Sequence, residues 1–114
     1  MATSGLVPDD ALAFIQKCVR DRKVYWTYHV NMRLAERHIT RDDIFGAVDN
    51  YEIIESNPGD KYLPSCLVFA AQTTGGFHVL FGADVESDHV RVVTAYRPHL
   101  NDWEADLKTR RSQT

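Results

Sequence analysis

The hydrophobic pattern of this 114-residue chain changes its period at about residue 50. Before that point apolar residues recur at helical spacing, as in Leu12, Ile15 and Val19. After it, short runs of β-forming residues alternate with turn residues such as Asn57-Pro58-Gly59-Asp60. The links between these runs are too short for a crossover connection, so neighbouring runs must pair as antiparallel strands. The chain therefore combines helices from its first half with an antiparallel sheet from its second half.

Three helices are predicted in the first half, over residues 9–22, over residues 27–38, and from Thr40 onward. Thr40 and Asp43 have the spacing of a capping box, and Ile39 and Ile44 occupy the positions of a hydrophobic staple. The predicted strands are residues 51–55, 66–72, 77–84 and 89–97, and the predicted turns between them include residues 73–76.

A fourth helix is predicted from Asn101 onward. Asn101 and Glu104 have capping-box spacing, Leu107 follows Trp103 by one turn, and basic residues come at the negative helix end. The order predicts one α+β domain over residues 1–114, with helices on one face of a four-stranded meander and with loose ends at 1–8 and 111–114.

Composition excludes several broad classes. Thirteen Lys and Arg against sixteen Asp and Glu give a net charge of −3, whereas a general nucleic-acid coat is strongly basic. Phosphate-loop, dinucleotide, zinc-protease and serine-hydrolase motifs do not occur, and we expect neither a cofactor nor a bound metal. The two cysteines are predicted to be reduced, and we expect a cytoplasmic protein without a membrane span.

The charge is unevenly distributed along the chain. Residues 51–90 carry one basic and six acidic groups, whereas residues 91–114 carry five basic and three acidic groups. The second predicted helix and the C-terminal quarter could therefore each present a local basic patch on an acidic protein.

One helical stripe combines a proton-transfer group with two cations. His29, Arg33 and Arg37 follow at intervals of four residues and so fall within an arc of about 80° on one helix face. Imidazole can move a proton near neutral pH, and guanidinium groups can fork onto a phosphate. The stripe suits binding or attack of a phosphodiester, but it is also what an ordinary solvated helix face looks like.

His78 lies in the middle of an otherwise apolar predicted strand. A four-residue hairpin loop over residues 85–88 would pair Asp84 with His89 and place His78 opposite Ala95. The sequence leaves two roles open for His78: a functional group, or a core histidine hydrogen-bonded to backbone or to Tyr96.

As a set, these motifs resemble a bacterial family of small proteins related to the MqsR, BrnT and RelE-type toxins of toxin–antitoxin pairs. The resemblance covers roughly residues 25–105 and rests on the pattern from Tyr28 to Asp43, on His78, and on Val93-Thr94-Ala95-Tyr96-Arg97-Pro98 followed by Trp103. The family usually has a small residue, often glycine, where this chain has His38. The resemblance implies a RelE-like curved antiparallel sheet, RNA cleavage, and an antitoxin as partner.

The resemblance yields two functional hypotheses. The first is a metal-independent endoribonuclease acting on messenger RNA, with catalytic residues His29, Arg33, His78 and Tyr96 and substrate-binding residues Arg37, Thr94 and Arg97. The second is a non-catalytic module of the same fold that binds an acidic protein segment through His29, Arg33 and Arg37. A homodimer joined through Trp103 on the predicted C-terminal helix is a further alternative.

Overall fold

A computed structural model describes residues 7–73 and 75–111 of the chain. Three α-helices and five strands follow in the order α1 (Ala11–Arg20), β1 (Val24–Trp26), α2 (Tyr28–Glu36), α3 (Arg41–Gly46), β2 (Tyr51–Asn57), β3 (Ser65–Gln72), β4 (Gly75–Asp84) and β5 (His89–Tyr96), with a 3₁₀ turn at Val48–Asn50 before β2. The predicted loose ends lie largely outside the described residues, as does Thr74 of one predicted turn. No helix in the described ranges is both long enough and apolar enough to cross a membrane.

The three predicted helices are confirmed, and local capping explains where they begin. Asp10 and Thr27 cap α1 and α2 by accepting hydrogen bonds from backbone N–H groups three residues later. The predicted capping box at α3 is present, because Thr40 and Asp43 each accept from the other's backbone N–H. Ile39 and Ile44, the predicted staple residues, are both buried.

The turn after α2 takes a left-handed conformation at His38, whose φ is 56°. His38 and Ile39 donate their backbone N–H groups to the carbonyls of Ala35 and Leu34, which is the hydrogen-bond pattern of a Schellman motif. This motif favours glycine at the position of His38, because a side chain there is strained. The turn therefore forms with a histidine in place of the small residue that the resemblance leads one to expect.

The sheet has five strands in the order β1-β5-β4-β3-β2, so the prediction of four strands is wrong. β2 to β5 form the predicted antiparallel meander. The additional strand β1 pairs parallel with the first half of β5, from Val24 opposite Val90 to Trp26 opposite Val92. The fold is thus an α+β arrangement with an open mixed sheet.

The two faces of the sheet are covered differently. On the inner face, α1 and α2 bury a continuous apolar core that includes Ile15, Val68, Val79, Phe81 and Val92. On the outer face lie the alternate residues of the same strands. These are covered in part by residues 98–111, which we call the C-terminal strap.

The predicted C-terminal helix is wrong, because the C-terminal strap consists of turns joined by one isolated bridge between Trp103 and Arg110. Asp106 accepts hydrogen bonds from the backbone N–H groups of Lys108 and Thr109. Leu107 has a φ of 61°, which a right-handed helix excludes. Local side-chain hydrogen bonds thus compete successfully with so short a helix.

Candidate functional site

The pairing of β4 with β5 places His78 opposite Tyr96 rather than opposite Ala95. Asp84 pairs with His89 as predicted, but a bulge between Leu80 and Phe81 shifts the register by one residue beyond that point. The bulge turns Tyr96 onto the same outer face as His78. Without it, these two side chains would lie on opposite faces of the sheet.

His78 is completely buried and both of its ring nitrogens have partners. Nε2 lies 2.6 Å from the carbonyl oxygen of Leu107, and Nδ1 lies 3.3 Å from the hydroxyl of Tyr96. A carbonyl only accepts hydrogen bonds, so Nε2 carries the proton and Nδ1 accepts from the Tyr96 O–H. This is the hydrogen-bonded environment of a core histidine, and it couples His78 to the outside through Tyr96.

Burial shifts both ionisation equilibria of this pair toward the neutral forms. Desolvation is the main cause that lowers the pKa of His78 below its usual 6.5. Desolvation likewise raises the pKa of Tyr96 above its usual value. At neutral pH the pair therefore consists of a neutral imidazole that accepts from a protonated phenol.

The C-terminal strap covers His78. The indole of Trp103, itself only 3% exposed, packs edge-on against the imidazole with ring centroids 4.4 Å apart. The guanidinium group of Arg110 lies over the Trp103 ring, with its central carbon 4.5 Å from the ring centroid. Trp103 is therefore covered within the chain instead of lying exposed on a C-terminal helix.

Basic residues of the C-terminal strap are paired with acidic residues of β2. Lys108 contacts Glu52 at 3.0 Å, and Arg110 binds Glu55 through Nε and Nη2, the latter at 3.1 Å. Lys108 and Arg110 therefore do not contribute the free positive charge that the composition of the C-terminal quarter predicted. They instead offset part of the negative charge of residues 51–90.

A cleft of about 220 Å³ opens on the outer face beside this pair. We call it the outer-face cleft; Leu67 and Leu80 form its floor, and its walls include Asp60, Thr94, Tyr96 and Arg110. The floor follows from the register, because Leu67 pairs with Leu80 and Leu80 pairs with Thr94. The side chain of Tyr96 thus borders both the buried histidine and an open cavity.

Arg37 reaches the free edge of β5 beyond the end of β1. Its Nη1 donates to the Ala95 carbonyl at 2.7 Å and to the Thr94 hydroxyl at 3.2 Å. The hydroxyl hydrogen of Thr94 is then free to donate elsewhere. Arg37 therefore fixes Thr94 at the wall of the outer-face cleft.

Arg97 lies at the end of β5, beyond the contacts that Arg37 makes with Thr94 and Ala95. It donates to the side chain of Gln72 and to the backbone carbonyl of His38, both at 3.3 Å. These contacts tie the end of β5 to the turn after α2.

His29 and Arg33 lie on the exposed side of α2, in its first and second turns. Arg33 pairs with Glu36 at 3.3 Å, an exposed contact, and within the described ranges His29 makes no side-chain hydrogen bond. The rise of an α-helix places His29 about 12 Å along the axis from Arg37. The predicted residues thus fall into a sheet group (Arg37, His78, Thr94, Tyr96), the marginal Arg97, and a helix-surface pair (His29, Arg33).

Sequence reasoning missed Arg110, Trp103 and Asp60 as neighbours of the site. Arg110 and Glu55 are 55 residues apart, and no local pattern links them. The only available signal was the opposite charge of residues 51–90 and 91–114, which is compatible with many pairings.

The described chain is an α+β protein whose open sheet carries a buried histidine, hydrogen-bonded to the partly exposed Tyr96, beside a surface cleft. The sequence profile of the family described as a domain of unknown function (DUF4258) matches residues 26–97, and the chain belongs to this family. The match contains α2, the four-stranded meander and Tyr96, and it ends before the C-terminal strap. Comparisons with curated proteins and with solved structures gave no match.

Proposed function

We propose that this chain is a toxin-like endoribonuclease that cleaves messenger RNA without a metal ion and is controlled by an antitoxin-like protein partner. The observation that carries the proposal is Tyr96, which lines the outer-face cleft and whose hydroxyl donates to the buried Nδ1 of His78. This pair offers a route for a proton from the cleft into the sheet. Such a route is what the internal nucleophile of RNA, the ribose 2′-hydroxyl, requires.

In the proposed reaction the 2′-oxygen attacks the adjacent phosphorus, a 2′,3′-cyclic phosphate forms, and the 5′-oxygen leaves with a proton taken from water. The Tyr96 oxygen takes the 2′-hydroxyl proton while its own proton moves to His78 Nδ1. The Leu107 carbonyl, which accepts from Nε2, stabilises the imidazolium that results. His78 therefore acts through Tyr96 and does not touch the RNA.

The phosphate needs donors that face the developing negative charge. Thr94 supplies one, because Arg37 occupies its oxygen and leaves its hydrogen free to donate into the outer-face cleft. Arg37 acts as a positioning residue in this scheme. Arg97, Arg33 and His29 would contact the flanking strand from the adjoining surface.

The test compares Tyr96→Phe with Tyr25→Phe in cleavage of a labelled messenger RNA by the purified chain. General base catalysis contributes about 10²- to 10⁴-fold, so loss of the Tyr96 oxygen should slow cleavage by at least about 10²-fold. Tyr25 is half-exposed and stacks on His89, so its hydroxyl is dispensable. Intact RNA with the wild-type chain, or equal rates for both variants, would overturn the proposal.

Growth of the host provides a second readout. Induction of the wild-type chain without its partner should arrest growth and degrade RNA, and the double variant His29→Ala/His78→Ala should relieve both effects. Unaffected growth with intact RNA, or toxicity unchanged in the double variant, would contradict the assignment.

A non-catalytic binding module is the second candidate, and the exposed face of α2 favours it. Tyr28 and Met32 are 80% and 50% exposed and lie one turn apart, beside Arg33. An apolar pair flanked by a cation suits an acidic amphipathic segment of another protein. This candidate predicts salt-sensitive capture of a host protein that Arg33→Glu abolishes and Arg20→Glu does not, while RNA stays uncut.

A further inference from the structure

The lining of the outer-face cleft combines two leucines with polar and charged residues. Glu55, Leu67, Leu80 and Thr94 form one row across β2 to β5, because each pairs with the next. The leucine side chains supply a surface on which a planar ring can lie. A cavity of about 220 Å³ is smaller than the usual pockets for drug-sized ligands, so it suits a single ring system.

One wall presents a carboxylate, that of Asp60, which is held in place by hydrogen bonds but can accept more of them. Asp60 accepts from the backbone N–H of Lys61 at 2.7 Å through Oδ1 and from the Ser65 hydroxyl at 2.8 Å through Oδ2. Each carboxylate oxygen can accept a second hydrogen bond. Asp60 is therefore a fixed acceptor for two adjacent donors.

The neighbouring walls carry hydrogen-bond donors. Arg110 uses Nε and Nη2 on Glu55, which leaves Nη1 able to donate. Asn57 also lines this cleft, and its side-chain amide can supply a further donor. Because Arg110 neutralises Glu55, Asp60 is the carboxylate available to a ligand.

We propose that the outer-face cleft binds a guanine base of single-stranded RNA, with the guanine N1–H and N2–H on Asp60. Among the four RNA bases, only guanine presents two adjacent N–H donors that can fork onto one carboxylate. Its O6 acceptor suits the donors of Asn57 and Arg110. The inference rests on the proposed function, since it places a guanine nucleotide next to the phosphate that Tyr96 and Thr94 face.

A second, smaller cleft indicates a strand rather than a free nucleotide. This cavity of about 170 Å³ shares Asp60 and Ser65 with the outer-face cleft. It also contains Tyr62, which is 73% exposed, and Arg91. An exposed aromatic ring and a cation are the groups that stack a neighbouring base and contact its phosphate.

The first test titrates the wild-type chain with GMP, IMP, AMP, CMP and UMP, followed by NMR shifts of Leu67 and Leu80. IMP lacks the N2 amine, so it should bind several-fold more weakly than GMP, and the other three should bind more weakly still. Equal affinity for all five, or no binding of GMP at millimolar concentration, overturns the proposal. A guanine trinucleotide that binds no tighter than GMP overturns the assignment to RNA.

The second test uses Asp60→Asn, with Asp42→Asn as the matched control on the exposed surface of α3. A good bidentate pair contributes about 5- to 150-fold discrimination between bases, and Asp60→Asn should remove this preference for GMP. Asp42→Asn should leave it unchanged. Retained preference in a folded Asp60→Asn chain overturns the proposal, whatever its overall affinity.

The two proposals fail separately. RNA cleavage without preference for guanine would refute the guanine site and leave the ribonuclease proposal standing. Guanine-selective binding without cleavage would refute the ribonuclease and leave the site standing.

Discussion

Replacing Trp103 with alanine tests how the C-terminal strap is held on the sheet. The indole is 3% exposed, packs on His78, and lies under the guanidinium of Arg110. Deletion of a buried tryptophan side chain costs about 3–5 kcal/mol of unfolding free energy. The strap has little regular hydrogen bonding, so the variant can relax by local detachment, which favours the lower end, about 3 kcal/mol.

Urea denaturation followed by circular dichroism measures this loss, with Leu100→Ala as the control in the same segment. Leu100 is 56% exposed, so its truncation should change stability by less than about 0.5 kcal/mol. The pKa of His78, followed by NMR, should rise toward its usual range in Trp103→Ala because burial is the main cause of its depression. A loss below about 1 kcal/mol with an unchanged His78 pKa would refute the packing argument.

The remaining predictions concern stability and pH. His38→Gly should raise the unfolding free energy by about 0.5–1 kcal/mol, because φ at this position is 56°; a lower stability would contradict the left-handed turn. Arg37→Met should cost about 1–3 kcal/mol in urea denaturation, since the Ala95 carbonyl loses its donor, whereas Arg33→Met should cost less than about 0.5 kcal/mol. Because burial lowers the pKa of His78, the unfolded chain binds this proton more tightly; the unfolding free energy should fall as pH drops from 6.5 through the folded pKa, and His78→Gln should flatten this slope. For the same reason the cleavage rate should decline only below pH 6.5; a midpoint above 6.5 would exclude His78 as the proton acceptor.

The helices and the meander could be predicted because their signals are local. A capping box such as Thr40 with Asp43 is satisfied within one turn, and short runs of β-forming residues separated by turn residues indicate the antiparallel strands β2 to β5. The positive φ of His38 also follows from a local hydrogen-bond pattern. These features needed no knowledge of distant residues.

The arrangement of the candidate site residues could be predicted only in part, because it depends on the strand register. His78 and Tyr96 were both candidates from the sequence, but a hairpin count placed His78 opposite Ala95. The single bulge after Leu80 moved Tyr96 to the outer face, and only the paired strands reveal it.

By itself, the sequence determined an α+β protein with helices first and an antiparallel meander after residue 50. Tertiary structure decided that Val24–Trp26 joins β5 as a fifth strand, that the last residues form a strap rather than a helix, and that Arg110 meets Glu55. The physical reason is the range of the interactions. Helix caps and hydrophobic periods act within a few residues, whereas strand addition, burial of Trp103 and long-range ion pairs depend on which surfaces the folded core leaves available.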